Sequence, residues 1–352
     1  MPAGIINLTM KGRVELKMIW LKRNIAGILL SLSLAIAAAW LGSLFPVVGG
    51  PVFGIVLGIL ISNLIGKPEW AKSGVKFTSK KVLQYAIILL GAGLSLTQVW
   101  KTGMESLYIM LVTLSVAFIA AYAFGKLLKI PYNLTTLIGV GTAICGGSAI
   151  AAVSPVIEAE EKEVAYSIST IFFFNIIAVL IFPPLGHLIG FSDKAFGLWA
   201  GTAVNDTSSV VAAGYAFSSM AGEYATIVKL TRTTMIIPVS LIFAAVTMLK
   251  KRNAAKTDGT VNYSFSKIFP WFIVGFLATS LLNTLSVITP SMAAHLSSAG
   301  KFMIVMALSA VGLSADFKEM LKTGFKPLLL GLLVWMAVSA ASIGVQLITG
   351  QM

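Results

Sequence analysis

The chain has 352 residues, 57% of them hydrophobic and 11% charged, with a formal net charge of +13 at pH 7. A soluble domain carries roughly 25% charged residues, so this composition cannot cover a water-facing surface and implies lipid as the main solvent. The basic residues fall between apolar runs and form no continuous face, which argues against nucleic acid as a partner.

In chain order, residues 1–23 form a basic segment (Lys11, Arg13, Lys17, Lys22, Arg23) read as cytoplasmic. The apolar run 24–45 is longer than the roughly 7–15 residues of a signal-peptide core, and reads as an uncleaved first span. A bilayer core of ~30 Å takes ~20 apolar residues in a helix. Further runs of that kind follow at 47–66, 82–99, 106–125, 135–157, 164–186, 195–217, 224–248, 268–287, 300–315 and 327–348. They are continuously apolar and do not alternate with period two, which predicts helices and not a barrel. The expected fold is an all-α polytopic membrane protein of about eleven transmembrane helices, with 24–352 as a single transporter domain. Cys145 is alone, so neither an intrachain disulfide nor a cysteine-cluster metal site is expected, and no cofactor is implied.

Loop charge predicts the orientation. With the N-terminus inside, the internal loops hold Lys67, Lys72, Lys76, Lys80 and Lys81, then Lys126 and Lys129, then Lys194, the cluster Lys250–Lys256, and Lys318, Lys322 and Lys326. The other face receives Glu105, the acidic run 158–163 and Glu223. The excess of inside lysine places the C-terminus outside a bacterial inner membrane.

The sequence repeats itself. P-V-F-G-I-V at Pro51 returns as P-W-F-I-V at Pro270, and L-L-G-A-G-L-S-L at Leu89 returns as L-S-A-V-G-L-S-A at Leu308, both at an offset of 219. The repeat relates roughly 47–125 to 268–348. The third and tenth spans are an odd number apart, so they cross in opposite directions, as in an inverted-topology repeat.

Between the repeated regions, in 135–248, lie two segments that are poor continuous helices: Gly141–Ala149 and Gly201–Ser209, each beginning G-T-A. Glycine costs up to ~1 kcal/mol in a helix, and Ser, Thr, Asn and Asp offer the backbone competing hydrogen bonds. At membrane depth an interrupted helix survives where it lines a cavity or is buried in protein. Close packing of small residues is the plainer reading of the glycines. The polar run is costly in lipid and favours a site. Candidate substrate-binding residues are therefore Gly146, Gly147, Ser148, Asn205, Asp206, Thr207, Ser208 and Ser209, with Asn175 as another amide in the sixth span.

Asp206 needs a partner at that depth, and Lys229 and Arg232 share a face of the next helix. These three either pin two helices together or surround a cavity of net positive charge. In the second case Arg232 would make a bidentate contact to an oxyanion and Lys229 would supply a point charge. Ser95 and Ser314, in the repeated G-L-S, are expected to mark span ends, and His187 is expected to be structural.

The runs I-C-G-G-S-A-I-A-A (144–152), F-G-L-W-A-G-T-A (196–203), N-D-T-S-S-V-V-A-A (205–213) and V-K-L-T-R (228–232), with the stretch 172–190, resemble the sulfate exporter family of bacterial membrane proteins. The resemblance covers nearly the whole chain and is most specific over 140–235. It implies kinship with cation/proton antiporters and bile-acid-type symporters, which use inverted repeats and broken helices. Many members have His where this chain has Asn205, so a proton-coupling role is not carried over to that position.

The leading functional expectation is a secondary transporter of a small anion such as sulfate, its partners the anion and the bilayer, with a homodimer as an expected assembly. The alternative is a cation/proton or Na⁺-coupled antiporter that uses Asp206. An ATPase is disfavoured by the absence of G-x-x-x-x-G-K-[ST], and an enzyme by the absence of a nucleophile–base or metal constellation. The two G-T-A segments, as spans two apart, would run the same way and could not be inverted counterparts unless one is re-entrant.

Overall fold

The computed structural model describes residues 10–45, 49–64, 66, 69–253, 271–315 and 324–352, and every regular element among them is helical. Pro270 of the repeat and Lys67, Lys256, Lys318 and Lys322 of the expected loops lie outside the described residues. Among the described residues six helical stretches are long and apolar enough to cross a membrane: Lys22–Leu44, Leu96–Leu127, Glu161–Ile189, Ser219–Thr247, Pro290–Ser314 and Phe325–Thr349. Large apolar side chains face outward on several of them, with Trp40 62% and Ile119 68% exposed, as a lipid-facing surface requires.

The elements are α1 (Met10–Leu44), α2 (Gly49–Leu64) and α3 (Glu69–Phe77), which runs through a π-helical turn (Thr78–Val82) into α4 (Leu83–Gly91). Then come α5 (Leu96–Leu127), α6 (Tyr132–Ala143), α7 (Gly147–Val153), α8 (Glu161–Ile189), α9 (Asp193–Ala203) and α10 (Thr207–Phe217). The series ends with α11 (Ser219–Thr233), α12 (Ile236–Asn253), α13 (Trp271–Thr284), α14 (Pro290–Ser314) and α15 (Phe325–Thr349).

Glycine contacts give the directions. Gly54 lies against Val305 and Ser309, and Gly58 against Ser309 and Gly312, so α2 and α14 run parallel. A Cβ on Gly58 would meet the Ser309 carbonyl oxygen at 2.4 Å, and one on Gly312 would meet that of Ile55 at 2.3 Å. This close backbone approach is the small-residue packing of membrane helices. Gly300 lies against Ala86 and Leu90, and Gly93 against Ser297, so α4 and α14 run antiparallel. Gly91 sits on Phe276, and Gly275 on Ile88, which makes α13 parallel to α4.

The segments 135–157 and 195–217, each expected as one span, are instead pairs of half-helices folded back on themselves. Gly197 lies against Ala221 and Tyr224, and Gly201 against Val228, so α9 runs parallel to α11. Gly214 lies against Gly222, and Gly222 against Tyr215, so α10 runs antiparallel to the same helix. The two ends of this hairpin meet: Ser218 Oγ donates to Asp193 Oδ1 at 2.6 Å, and Phe217 stacks on Phe196 at 4.0 Å. In the other hairpin Ile150 of α7 folds back onto Gly141 of α6, contact that a straight helix would forbid nine residues apart.

The hairpins enter from opposite faces. The far face is where α8 ends and α9 begins. Lys194 at the start of α9 pairs with Glu105 at 2.8 Å, while Gly125, twenty residues along α5, lies against Thr135 of α6. The α6–α7 hairpin therefore starts at the near face, α8 rises from there, and the α9–α10 hairpin dips from the far face. The charge assignment changes accordingly: Lys194 lies at the far face with Glu105, and the acidic run 158–163 shares the near face with Lys126 and Lys129. Counting each hairpin as a crossing inverted the loops between them.

A labelling experiment tests this topology. In a Cys145→Ala background, a reporter cysteine replacing Ala159 is expected to react with an impermeant thiol reagent from the same side as one replacing Leu128. One replacing Ser192 is expected to react from the opposite side.

Candidate functional site

The two hairpin tips touch in the interior of the molecule. A Cβ on Gly146 would lie 3.3 Å from Asp206 Cβ, and Gly146 adopts φ +70°, the left-handed region that glycine tolerates. Each tip leaves half-helix ends with unsatisfied backbone groups, four carbonyls at a C-terminus and four N–H groups at an N-terminus. In lipid each such orphan costs several kcal/mol, so the arrangement depends on what meets these groups.

The C-terminal ends of α6 and α9 meet cations. Arg232 of α11 is fully buried and donates from Nε to the Ala143 carbonyl at 2.5 Å, from Nη2 to the Thr142 carbonyl at 3.2 Å and from Nη1 to the Thr202 carbonyl. Lys229, one turn earlier and also fully buried, donates to the Val204 carbonyl at 2.9 Å. Both charges sit at negative ends of helix dipoles, where a cation is favoured by up to ~2 kcal/mol in a buried setting. The threonines of the two G-T-A segments complete the likeness. Thr142 Oγ1 donates to the Ile138 carbonyl and Thr202 Oγ1 to the Leu198 carbonyl, the same bond at both tips.

The N-terminal end of α10 is met by Asp206. Its carboxylate caps the helix, accepting from the Ser208 amide at 3.1 Å and from the Ser208 hydroxyl. Asn175 of α8 accepts from the Asp206 amide at 3.2 Å, which fixes the tip against a continuous helix. No ion pair to Asp206 is found among the described residues, so the partnership expected with Lys229 and Arg232 is replaced by helix capping.

A cavity of about 780 Å³ lies beside the tips. It sorts the sequence candidates into two groups. Gly147, Ser148, Asn175, Asp206, Thr207 and Ser208 line it. Gly146, Asn205, Ser209, Lys229 and Arg232 do not, and the last four are nearly or fully buried behind the tips. Arg232 is held by backbone carbonyls and points to both half-helix ends, away from any bidentate contact in the cavity. The Asn205 Oδ1 is buried without a hydrogen-bond partner among the described residues.

The opposite wall was not legible as a site. Lys72, Lys76, Ser79, Lys80 and Gln84, read from sequence as a loop and the start of a span, line the cavity, and Ser314 lines it too. The available signal was a spacing of four between the polar residues. Ser95 caps α5 through a reciprocal box with Gln98, marking a helix start as expected, and His187 stacks on Phe217 at 4.2 Å. Among the described residues no cluster of three or more His, Cys, Asp or Glu could hold a metal.

The family profile described as Conserved hypothetical protein 698 matches residues 26–331. The chain is 46% identical over 350 residues to a UPF0324 membrane protein of Fusobacterium nucleatum, covering 94% of this chain and 99% of the relative. It is 43% identical over 344 residues to a UPF0324 membrane protein of Clostridium tetani (95% and 100% covered), and 45% identical over 335 residues to one of Streptococcus pyogenes serotype M18 (93% and 98%). No solved structure matches the chain.

Removing Arg232 strands three buried carbonyls at once. Arg232→Ala is expected to destabilise the protein by about 3–5 kcal/mol, the range for breaking a buried charged network. Arg232→Lys, which keeps the charge but loses the fork, should fall between Ala and wild type. Thermal unfolding in detergent reads both, and wild-type stability of Arg232→Ala would refute the assignment.

Proposed function

The chain belongs to the UPF0324 family of membrane proteins, and we propose that it acts as a secondary transporter of a small anion, of the sulfate or organosulfonate kind. The observation that carries the reading is the meeting of two hairpins from opposite faces at one cavity, beside tips whose buried charges are all spent on helix ends. Such a pair of re-entrant segments around an interior site is the architecture by which inverted repeats alternate access. Counting the hairpins as dips, the described residues cross nine times, with α2, α3–α4 and α5 related to α13, α14 and α15 by inversion. The N-terminus is then cytoplasmic and the C-terminus outside, in a bacterial inner membrane. A homodimer is compatible with the exposed apolar surface.

In this reading Ser148, Thr207 and Asn175 supply hydroxyl and amide donors for an oxyanion, Ser208 being bonded to Asp206, and Lys72, Lys76 and Lys80 supply the surrounding positive potential. Arg232 and Lys229 hold the tips in shape. No enzymatic step enters the proposal.

A second reading rests on Asp206, a carboxylate that lines the cavity without an ion-pair partner among the described residues. It would carry a proton or Na⁺, either as co-ion of the anion or as the transported species of a cation antiporter.

Counterflow in proteoliposomes separates the two. Wild type is expected to exchange labelled sulfate or a sulfonate, with Ser148→Ala/Thr207→Val lowering the rate about tenfold or more, as loss of oxyanion donors does. Asp206→Asn is expected to keep exchange but lose acceleration by a proton or Na⁺ gradient. Cation flux without any anion flux, abolished in Asp206→Asn, would decide for the antiporter.

A further inference from the structure

The wall facing the hairpin tips is built by one continuous helical run, α3, the π-helical turn and α4. Its cavity-lining residues are 71, 72, 75, 76, 79, 80, 83, 84 and 87, two rows spaced by four throughout. In a straight α-helix of 3.6 residues per turn, a row spaced by four drifts by about 40° at each step and would leave the cavity within two or three turns. The π-helical turn at Thr78–Val82 is wider and cancels that drift. The backbone conformation stays helical through it, Phe77 at φ −63°, ψ −47° and Leu83 at φ −59°, ψ −45°, so the run is rewound and not broken.

What the rewinding keeps in the cavity is a row of cations. Lys72, Lys76, Lys80 and then Gln84 follow one another at about 6 Å of helical rise per step. The row leads from the near end of the wall toward the level of the hairpin tips. Lys72 is engaged with Glu69 at 3.3 Å, a pair of which both members are mostly exposed. Lys76 and Lys80 have no ion-pair partner among the described residues, so their charge is free for a passing ligand. Facing them, Asp206 is the acidic residue of the cavity lining. Two uncommitted cations and a third shared one against a single carboxylate leave the cavity positive, and a positive cleft with apolar walls raises local anion concentration and entry rates.

We propose that Lys76 and Lys80, with Lys72 at the outer end, form a lysine ladder that selects multivalent over monovalent anions, and that the π-helical turn exists to hold this ladder in register. The inference rests on the anion-transporter reading and deepens it, by assigning valence selection to the cavity wall and leaving ligand contact to the hairpin tips. A dianion gains twice the attraction of a monoanion at each rung, so charge, and not size, is what the ladder reads. Deleting one residue inside the π-helical turn, Ser79, would restore α-helical winding and turn Lys80 and Gln84 off the face that Lys72 and Lys76 share.

The test separates the ladder from transport. In a Cys145→Ala background, Ala151→Cys places a thiol on the cavity lining opposite the ladder. With wild-type lysines, a negatively charged methanethiosulfonate is expected to modify it about tenfold faster, relative to a positively charged one, than it does in Lys76→Gln/Lys80→Gln. That excess should shrink as salt is raised. The same double variant, reconstituted in phosphatidylcholine vesicles, is expected to lose preference for sulfate over nitrate while still moving both. Equal labelling ratios in the two backgrounds would overturn the ladder whether or not the protein transports anions. A lysine effect that appears only in vesicles containing phosphatidylglycerol would overturn it too, by assigning the lysines to lipid headgroups. A charge-dependent labelling ratio in a protein that moves no anion would uphold the ladder and sink the transporter reading instead.

Discussion

The interaction on which the rest depends is the Arg232 side chain spanning two hairpins. Its guanidinium donates to the Ala143 and Thr142 carbonyls of one half-helix and to the Thr202 carbonyl of the other. Without it, two helix ends would terminate in a dry interior with their last carbonyls unmet, a state that membrane depth does not tolerate. Arginine suits the task because its planar fork offers donors in several directions at once, which an ammonium cannot do from one point. Lys229 meets a further carbonyl, that of Val204, where one donor suffices.

This distribution of charge gives the two sides of the tips different characters. Behind them, positive side chains meet negative helix ends and cancel. In front, Asp206 meets the positive end of α10 and satisfies the Ser208 amide, while Ser148, Thr207 and Asn175 remain open to the cavity. The tips are thereby fixed by bonds that a ligand does not need to break, so the cavity face can change occupancy without unbuilding the fold. Around the tips the scaffold is held by close backbone contact, as at Gly58 on Ser309 and Gly312 on Ile55, where any side chain would force the helices apart. Such contact is stiff against separation yet offers few directional bonds.

The 219-residue offset and the 60-residue offset between the G-T-A segments describe different relations. The first links α2 and α3–α4 to α13 and α14, helices that pack with α4 and α14 antiparallel. The second links two hairpins joined at one arginine, with Thr142 and Thr202 making the same backward bond to residues four earlier. Read as two continuous spans, the G-T-A segments would run in the same direction and resist symmetry. As hairpins, α6 and α9 run oppositely, and the likeness becomes what inversion would produce.

The amino-acid sequence by itself determined that this chain lives in lipid, because 11% charged residues cannot cover a surface in water, and that it is helical, because its apolar runs lack a period of two. It also marked both tips, since Gly141–Ala149 and Gly201–Ser209 combine glycine freedom with side chains that compete for backbone bonds. Only the tertiary structure decided that those breaks reverse the chain. A half-helix, a turn and a second half-helix have the same length and hydropathy as one kinked span, and the difference lies in which helices they pack against. Only the tertiary structure, likewise, took Arg232 and Lys229 out of the cavity and put Lys76 and Lys80 into it. A buried cation and a lining cation differ by what their nitrogens reach, and Ala143, Thr202 and Val204 are distant from them in sequence. Even the four-residue spacing of the lysines carried its meaning only once a π-helical turn was seen to hold it on one face.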